Sequence, residues 1–351
     1  MNTIPPQGPL LATLGTAVID ELHFKDGTCI KEAIGGSGVW AALGARLFLP
    51  EPSSSLICGT LHVGMDFPVS AEHIIRSWKT SLELRHNAKR HTTSNIVTFL
   101  DKSMEKRTRQ YRHNSIFTEP ADLPLRALDA RVFHLICSPD KLRDQIVGIC
   151  DLRTKDIDKA IFIWEPWPKS CKVENLDYLK DTIKLVDVVS PNHVELMDFF
   201  LYEPQEFSKE LIETLAEECV RSGIGNNGEG ALIVRCGEHG SLFATAGPRN
   251  IVTTQLESVS KAWLPAYHTD PAKVACTNGA GNAFLGGLAV GYSETNDWSK
   301  ACLYGAVAAA FVVEQIAAPV RTGKGATELW NGDVVRNRLR ELSERVREQG
   351  A

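Results

Sequence analysis

The stretch that constrains this chain most is Thr277-Asn278-Gly279-Ala280-Gly281-Asn282-Ala283-Phe284, followed by Leu285-Gly286-Gly287-Leu288-Ala289-Val290-Gly291. Glycine adopts backbone angles that other residues avoid, so Gly279-Ala280-Gly281 can turn the chain with successive N–H groups facing one way. Small apolar residues follow, which predicts a tightly packed helix starting near Ala280. The first N–H groups of a helix lack partners within it, and the positive end of the helix dipole lies there. Such a start attracts an anion. The same pattern also suits a buried glycine-rich helix without chemistry, so the rest of the chain has to decide.

The 351 residues suffice for one large α/β domain or two small ones, and 43% hydrophobic content gives ample core. A net charge of −5 gives no reason to expect nucleic acid or a membrane as partner. The nine cysteines form no Cys-x-x-Cys pair. Their odd number argues for reduced, mostly buried thiols rather than a disulfide framework or a zinc site. No apolar run is long enough to span a bilayer, and the N-terminus carries no basic, apolar leader. The expected location is the cytoplasm.

In chain order, residues 1–9 read as a tail. Leu10 to Val18 reads as a buried strand whose polar exit carries Asp20. Asp26-Gly27 marks a hairpin. Gly35 and Gly36 then open an Ala-rich helix that contains Trp40. A strand at 55–59 and a helix at 69–78 follow. Residues 79–117 alternate like exposed strands. Between Arg85 and Arg112 stand eight Lys/Arg against two acidic residues. That excess suits an anionic ligand, a partner patch or a solvated strand face. From Arg131 strands and helices alternate, as in a mainly parallel sheet covered on both faces. Ser190-Pro191-Asn192-His193-Val194-Glu195 follows one such strand, and Asn192 and Glu195 share a helix face where two oxygen donors could serve a hard cation. Asn192 is equally an ordinary helix N-cap. Residues 231–243 read as strand, turn, strand, with Arg235, Gly237 and Gly240 around the turn. Helices are expected at 207–222, 298–315 and 334–348. No internal repeat or inter-domain linker is present.

These elements together resemble the PfkB carbohydrate kinases, the ribokinase-like family, over roughly residues 10–320. The family's second signature, Asp-Thr-x-Gly-Ala-Gly-Asp-Ala-Phe, is similar to 276–284. Its first, Gly-Gly-x-x-x-Asn-x-Ala, is similar to the run from Gly35 and Gly36. Asn192-x-x-Glu195 resembles its Asn-x-x-Glu motif, and Gly237 and Gly240 match its Val-Thr-x-Gly-x-x-Gly loop. Glu165-Pro166, Ser190-Pro191-Asn192-His193 and Gly281-Asn282 look like the fungal branch named for maintenance of killer virus. The resemblance implies one ribokinase-like α/β domain over residues 1–351, doubly wound around a mainly parallel sheet. A small β lid would come from segments near 20–34 and 79–117. It implies ATP and Mg2+ as cofactors. It places Asp20, Gly35, Gly36 and Trp40 against the substrate. Asn192, Glu195, Arg235, Gly237 and Gly240 would lie against the nucleotide, and Asn192 and Glu195 would hold the metal network. Gly279, Ala280, Gly281 and Asn282 would stand at the reacting centre. The expected partner is a small-molecule substrate or metabolite, with pairing of two copies through the lid left open.

The departures fall at the centre. Cys276 and Asn282 stand where the family has Asp, the second of which is its catalytic base. Trp40 replaces a substrate-binding Asn and could stack on a flat ligand or fill core. Arg235 replaces a Thr and could clamp phosphate or intrude on the nucleotide. Two expectations follow: a protein that binds a nucleotide or phosphorylated metabolite and acts as a phosphotransferase without the usual base, or a non-kinase with a rebuilt pocket.

Overall fold

A computed structural model of the chain describes residues 8–101, 104, 107–153, 160–247, 256 and 258–350. Its strands are β1 Leu11–Thr13, β2 Val18–His23, β3 Cys29–Gly35, β4 Ile57–Gly64, β5 Ser81–Asn87, β6 Ser94–Phe99 and β7 Arg107–His113. Then come β8 Val132–Cys137, β9 Ile161–Pro166, β10 Val188–Val189, β11 Ala231–Arg235, β12 Ser241–Ala246 and β13 Val259–Leu264, and a short antiparallel pair, β14 Arg321–Thr322 and β15 Leu329–Trp330. Nine of these form the large sheet, in the order β13-β12-β11-β10-β9-β8-β1-β4-β5. All neighbours from β11 to β5 run parallel, while β12 and β13 add antiparallel at one edge. The fold is the ribokinase-like α/β architecture.

Alternation along the buried strands explains the layers. Leu11, Ile57, Val132, Ile163, Val188 and Ile233 join one apolar cluster. Their chain neighbours Ala12, Cys58, Phe133, Phe162, Val189 and Leu232 join the other. Successive side chains point to opposite faces of a strand, so both faces need a cover. Helices Ser37–Phe48, Ala280–Thr295 and Trp298–Val313 supply residues to the first cluster, and Pro139–Leu152, His193–Phe200 and Lys209–Arg221 to the second. The small residues at 280–291 permit close helix contact. A Cβ on Gly286 would lie 1.9 Å from the Ala41 carbonyl oxygen.

The expected strand over residues 10–18 ends at Thr13, and the chain then enters a second sheet of four strands in the order β3-β2-β6-β7. Of the segment 79–117, only β6 and β7 join this small sheet. Ser81–Asn87 pairs parallel with β4 and is the edge of the large one. Alternating sequence fits either position, because an edge strand and a lid strand both keep one wet face. Seven of the nine cysteines are buried. No helix of the described residues is long and apolar enough to cross a membrane.

Candidate functional site

Chain order reverses between β1 and β8. From β1 the sheet grows one way through β4 and β5, and from β8 the other way through β9, β10 and β11. In open α/β sheets ligands bind at the carboxyl ends of strands beside such a reversal. A pocket lies there. Thr16 beyond β1, Ile136 in β8, Glu165 in β9, Asn192 beyond β10 and Arg235 in β11 line it from the large sheet. Asp20, Asn95, Arg107, Arg109 and Tyr111 line it from the small one. Gly279, Gly281 and Asn282 close it at the start of helix Ala280–Thr295.

Gly279 takes a left-handed conformation with φ of 86° as the cap of that helix. Side-chain-bearing residues rarely hold it. Gly281 is needed for room, since a Cβ there would lie 2.3 Å from Arg235 Nη1. Arg235 therefore places its guanidinium directly against the helix start. Its Nη2 donates to the Ser190 carbonyl at 2.9 Å and lies 2.9 Å from Glu165 Oε1 and 3.5 Å from Glu195 Oε2. Its Nε is buried without a partner. Glu165 Oε2 accepts a hydrogen bond from the Asn282 amide and stands 3.5 Å from His134 Nε2. His134 Nδ1 in turn meets Thr13 Oγ1 at 3.0 Å.

Burial disfavours the charge on Glu165, but Arg235 and then His134 outweigh it and hold the carboxyl below its ordinary range. Glu195 goes the other way. Burial pushes it up to about 7, with Arg235 pulling down and the neighbouring Glu165 adding to the rise. One guanidinium thus stabilises mainly one of the two carboxylates.

On the small-sheet side, Asp20 is buried and accepts from Asn95 Nδ2 at 3.0 Å and Asn278 Nδ2 at 2.9 Å. Gly35 passes so close that a Cβ there would be 2.3 Å from Asp20 Oδ2. Trp40 is 3% exposed and packs under the turn, where a Cβ on Gly279 would meet its indole at 2.4 Å. Its Nε1, like the side-chain oxygen of Asn95, is buried without a partner. Cys276 lies in the small sheet's apolar cluster with Leu22, Val97 and Phe99, where the family's carboxylate would be buried among apolar groups.

Of the residues read from sequence, the pocket brings together Asp20, Gly36, Trp40, Asn192, Glu195, Arg235, Gly279, Gly281 and Asn282. Ala280 is the first helical residue beside it. Gly35 touches it only through Asp20. Gly237 and Gly240 form the turn after β11, with φ of 55° and 82°, and do not line it. The sequence reading missed Glu165, Asn95, Asn278 and His134 as site groups. Glu165 had a usable signal, a carboxylate ending an otherwise apolar buried strand.

The donor set tests poorly for Mg2+. Asn192 Oδ1 accepts the Glu195 N–H at 2.9 Å, and Glu195 Oε2 accepts the Asn192 N–H at 2.8 Å. This is a helix capping box, and the remaining approach to that carboxylate holds Arg235. Mg2+ asks for several oxygen ligands in octahedral array, whereas here a fixed cation stands between the two carboxylates. Among the described residues, the side-chain groups able to gather three metal ligands are Glu21–His23–Cys29 and Asp66–His91–His113, and neither lines the pocket.

Residues 166–319 match the family model described as pfkB family carbohydrate kinase. An uncharacterized protein of Schizosaccharomyces pombe is 30% identical, over 97% of this chain and 94% of its own. Protein MAK32 of Saccharomyces cerevisiae is 28% identical, over 94% of this chain and 91% of its own. Among solved structures, a ribokinase from Giardia lamblia superposes with a TM-score of 0.64 at 16% identity, covering 96% of this chain and 99% of that one. The chain belongs to the PfkB family of carbohydrate kinases, in the fungal branch that contains MAK32.

Proposed function

We propose that this protein binds a phosphate-bearing small molecule, a nucleotide such as ATP or a phosphorylated metabolite, in the pocket between its two sheets. The observation that carries the reading is the start of helix Ala280–Thr295 opening on the pocket with the Arg235 guanidinium against it. Helix N–H groups and a guanidinium favour the same ligand, a phosphate oxygen. A positive group at the positive end of a helix is unfavourable alone; an anion between them relieves the conflict. Arg107 and Arg109 add positive charge on the opposite wall. The nucleotide part of the reading comes from the family, whose members use ATP with Mg2+.

Binding without transfer is the form we propose. Without a group that takes the hydroxyl proton, phosphoryl transfer to a hydroxyl slows by about 10²–10⁴-fold. Asn282 has no proton-accepting site at neutral pH. Glu165 is committed to Arg235, His134 and the Asn282 amide. A cytoplasmic location is part of the same proposal, supported by cysteines that are mostly buried.

The test is calorimetry and thermal shift with ATP, ADP and sugar phosphates beside their unphosphorylated counterparts. The expected result is binding of one or more phosphate-bearing compounds, and weaker binding by Gly281→Ala. The added methyl meets only the end of the Arg235 side chain and no backbone atom, so that variant should fold. Equal response to phosphorylated and unphosphorylated compounds, or none to either, would sink the reading.

A further inference from the structure

We infer that Arg235 takes the place of the divalent cation, so that phosphate binding at the Gly279–Asn282 turn is independent of Mg2+. The inference rests on the binding role proposed above and goes beyond it. Arg235 is 8% exposed and its guanidinium lies between Glu165 and Glu195, at 2.9 Å and 3.5 Å. Its position is fixed by the Ser190 carbonyl and by the lack of a Cβ on Gly281. A cation between two carboxylates, facing a phosphate site, is the arrangement that a metal-assisted site obtains from Mg2+. Here the chain carries the charge covalently. A Mg2+ ion would have to enter beside a guanidinium of like charge and compete with it for the same two carboxylates.

The guanidinium still has donors to give. Nη2 serves the carboxylates and the Ser190 carbonyl, whereas Nε is buried without a partner and no described residue takes a hydrogen bond from Nη1. Nη1 is the atom nearest the missing Cβ of Gly281. A phosphate oxygen at the helix start is therefore within reach of a planar, weakly hydrated donor suited to it.

The experiment is calorimetric titration of the whole protein with inorganic pyrophosphate and with ADP, each in EDTA and in excess Mg2+. The expected result is binding in EDTA with a Kd within about threefold of that in Mg2+. Arg235→Gln should weaken binding in EDTA by about tenfold or more. In that variant Mg2+ should restore part of the loss, because the cation that stands between Glu165 and Glu195 is then gone. Binding by the unaltered protein that appears only with Mg2+ would overturn the inference and leave the binding role standing. Absence of binding under both conditions would remove both. The metal comparison needs no variant, so the inference stays testable even where Arg235→Gln does not fold.

Discussion

An amide is the side chain that lets residue 282 sit against Glu165. Asn282 donates to Oε2, while Arg235 holds Oε1. Aspartate at 282 would set two carboxylates within hydrogen-bond reach, and one of them would have to take a proton or move away. Asn282→Asp should therefore lose stability, by about 1–3 kcal/mol for the lost donor and the unpaired group. It should gain no ATP turnover against sugars, nucleosides or amino alcohols. Chemical denaturation and a coupled ADP-release assay check the two halves. A rise in turnover of about 10²-fold, the usual size of a general-base contribution, would show an otherwise competent kinase and defeat the proposed role. The changes at Trp40, Arg235, Cys276 and Asn282 were legible in the sequence. The partner of Asn282 was not, because it lies 117 residues away and only the strand order brings it near.

Elements dock here through carboxylates at their ends, and Glu314 is the clearest case. It caps helix Trp298–Val313 and receives hydrogen bonds from Arg338 of helix Val335–Glu348 and from the Asn331 amide, with His268 at 2.9 Å. Burial opposes its charge, but His268, Arg338 and Asn331 together bring its carboxyl down to about 2. A depressed carboxylate adds stability that is complete above its unfolded value, near 4.3, and is lost as pH falls through the folded value. The C-terminal helix should thus loosen between about pH 4 and 2. Glu314→Gln should be less stable at pH 7 and show a shallower acid transition, read by helix signal against pH. An unchanged acid profile would place the acid-sensitive group elsewhere. Helix starts such as Ala280 were readable from local residues. The membership of Ser81–Asn87 was not, because pairing with β4 is a choice between two sheets that its own alternation does not make.

Across the whole molecule the nine-stranded and the four-stranded sheet differ in how much holds them. The large sheet is clamped between two extensive apolar clusters, while the small sheet's own cluster has, among the described residues, five buried members, Leu22, Val97, Phe99, Met104 and Cys276. Its ties to the large body include polar ones that pass beside the pocket. Asn278 reaches Asp20 at 2.9 Å, and Thr277 Oγ1 reaches the Met104 carbonyl at 3.0 Å. Regions with few buried apolar contacts open more readily than the core. Amides of β3 and β7 should exchange with solvent well before those of β8, β9 and β11. A phosphate-bearing ligand that touches both Arg235 and the wall formed by Arg107 and Arg109 would tie the sheets together. It should therefore slow exchange in β7 as well as at the start of helix Ala280–Thr295. Mass-spectrometric exchange with and without pyrophosphate or ADP reads both regions at once. Protection confined to the helix start would mean that the ligand engages Arg235 alone and that the basic wall serves another purpose. Equal exchange of β7 and β9 without ligand would show that the small sheet opens only with the whole fold.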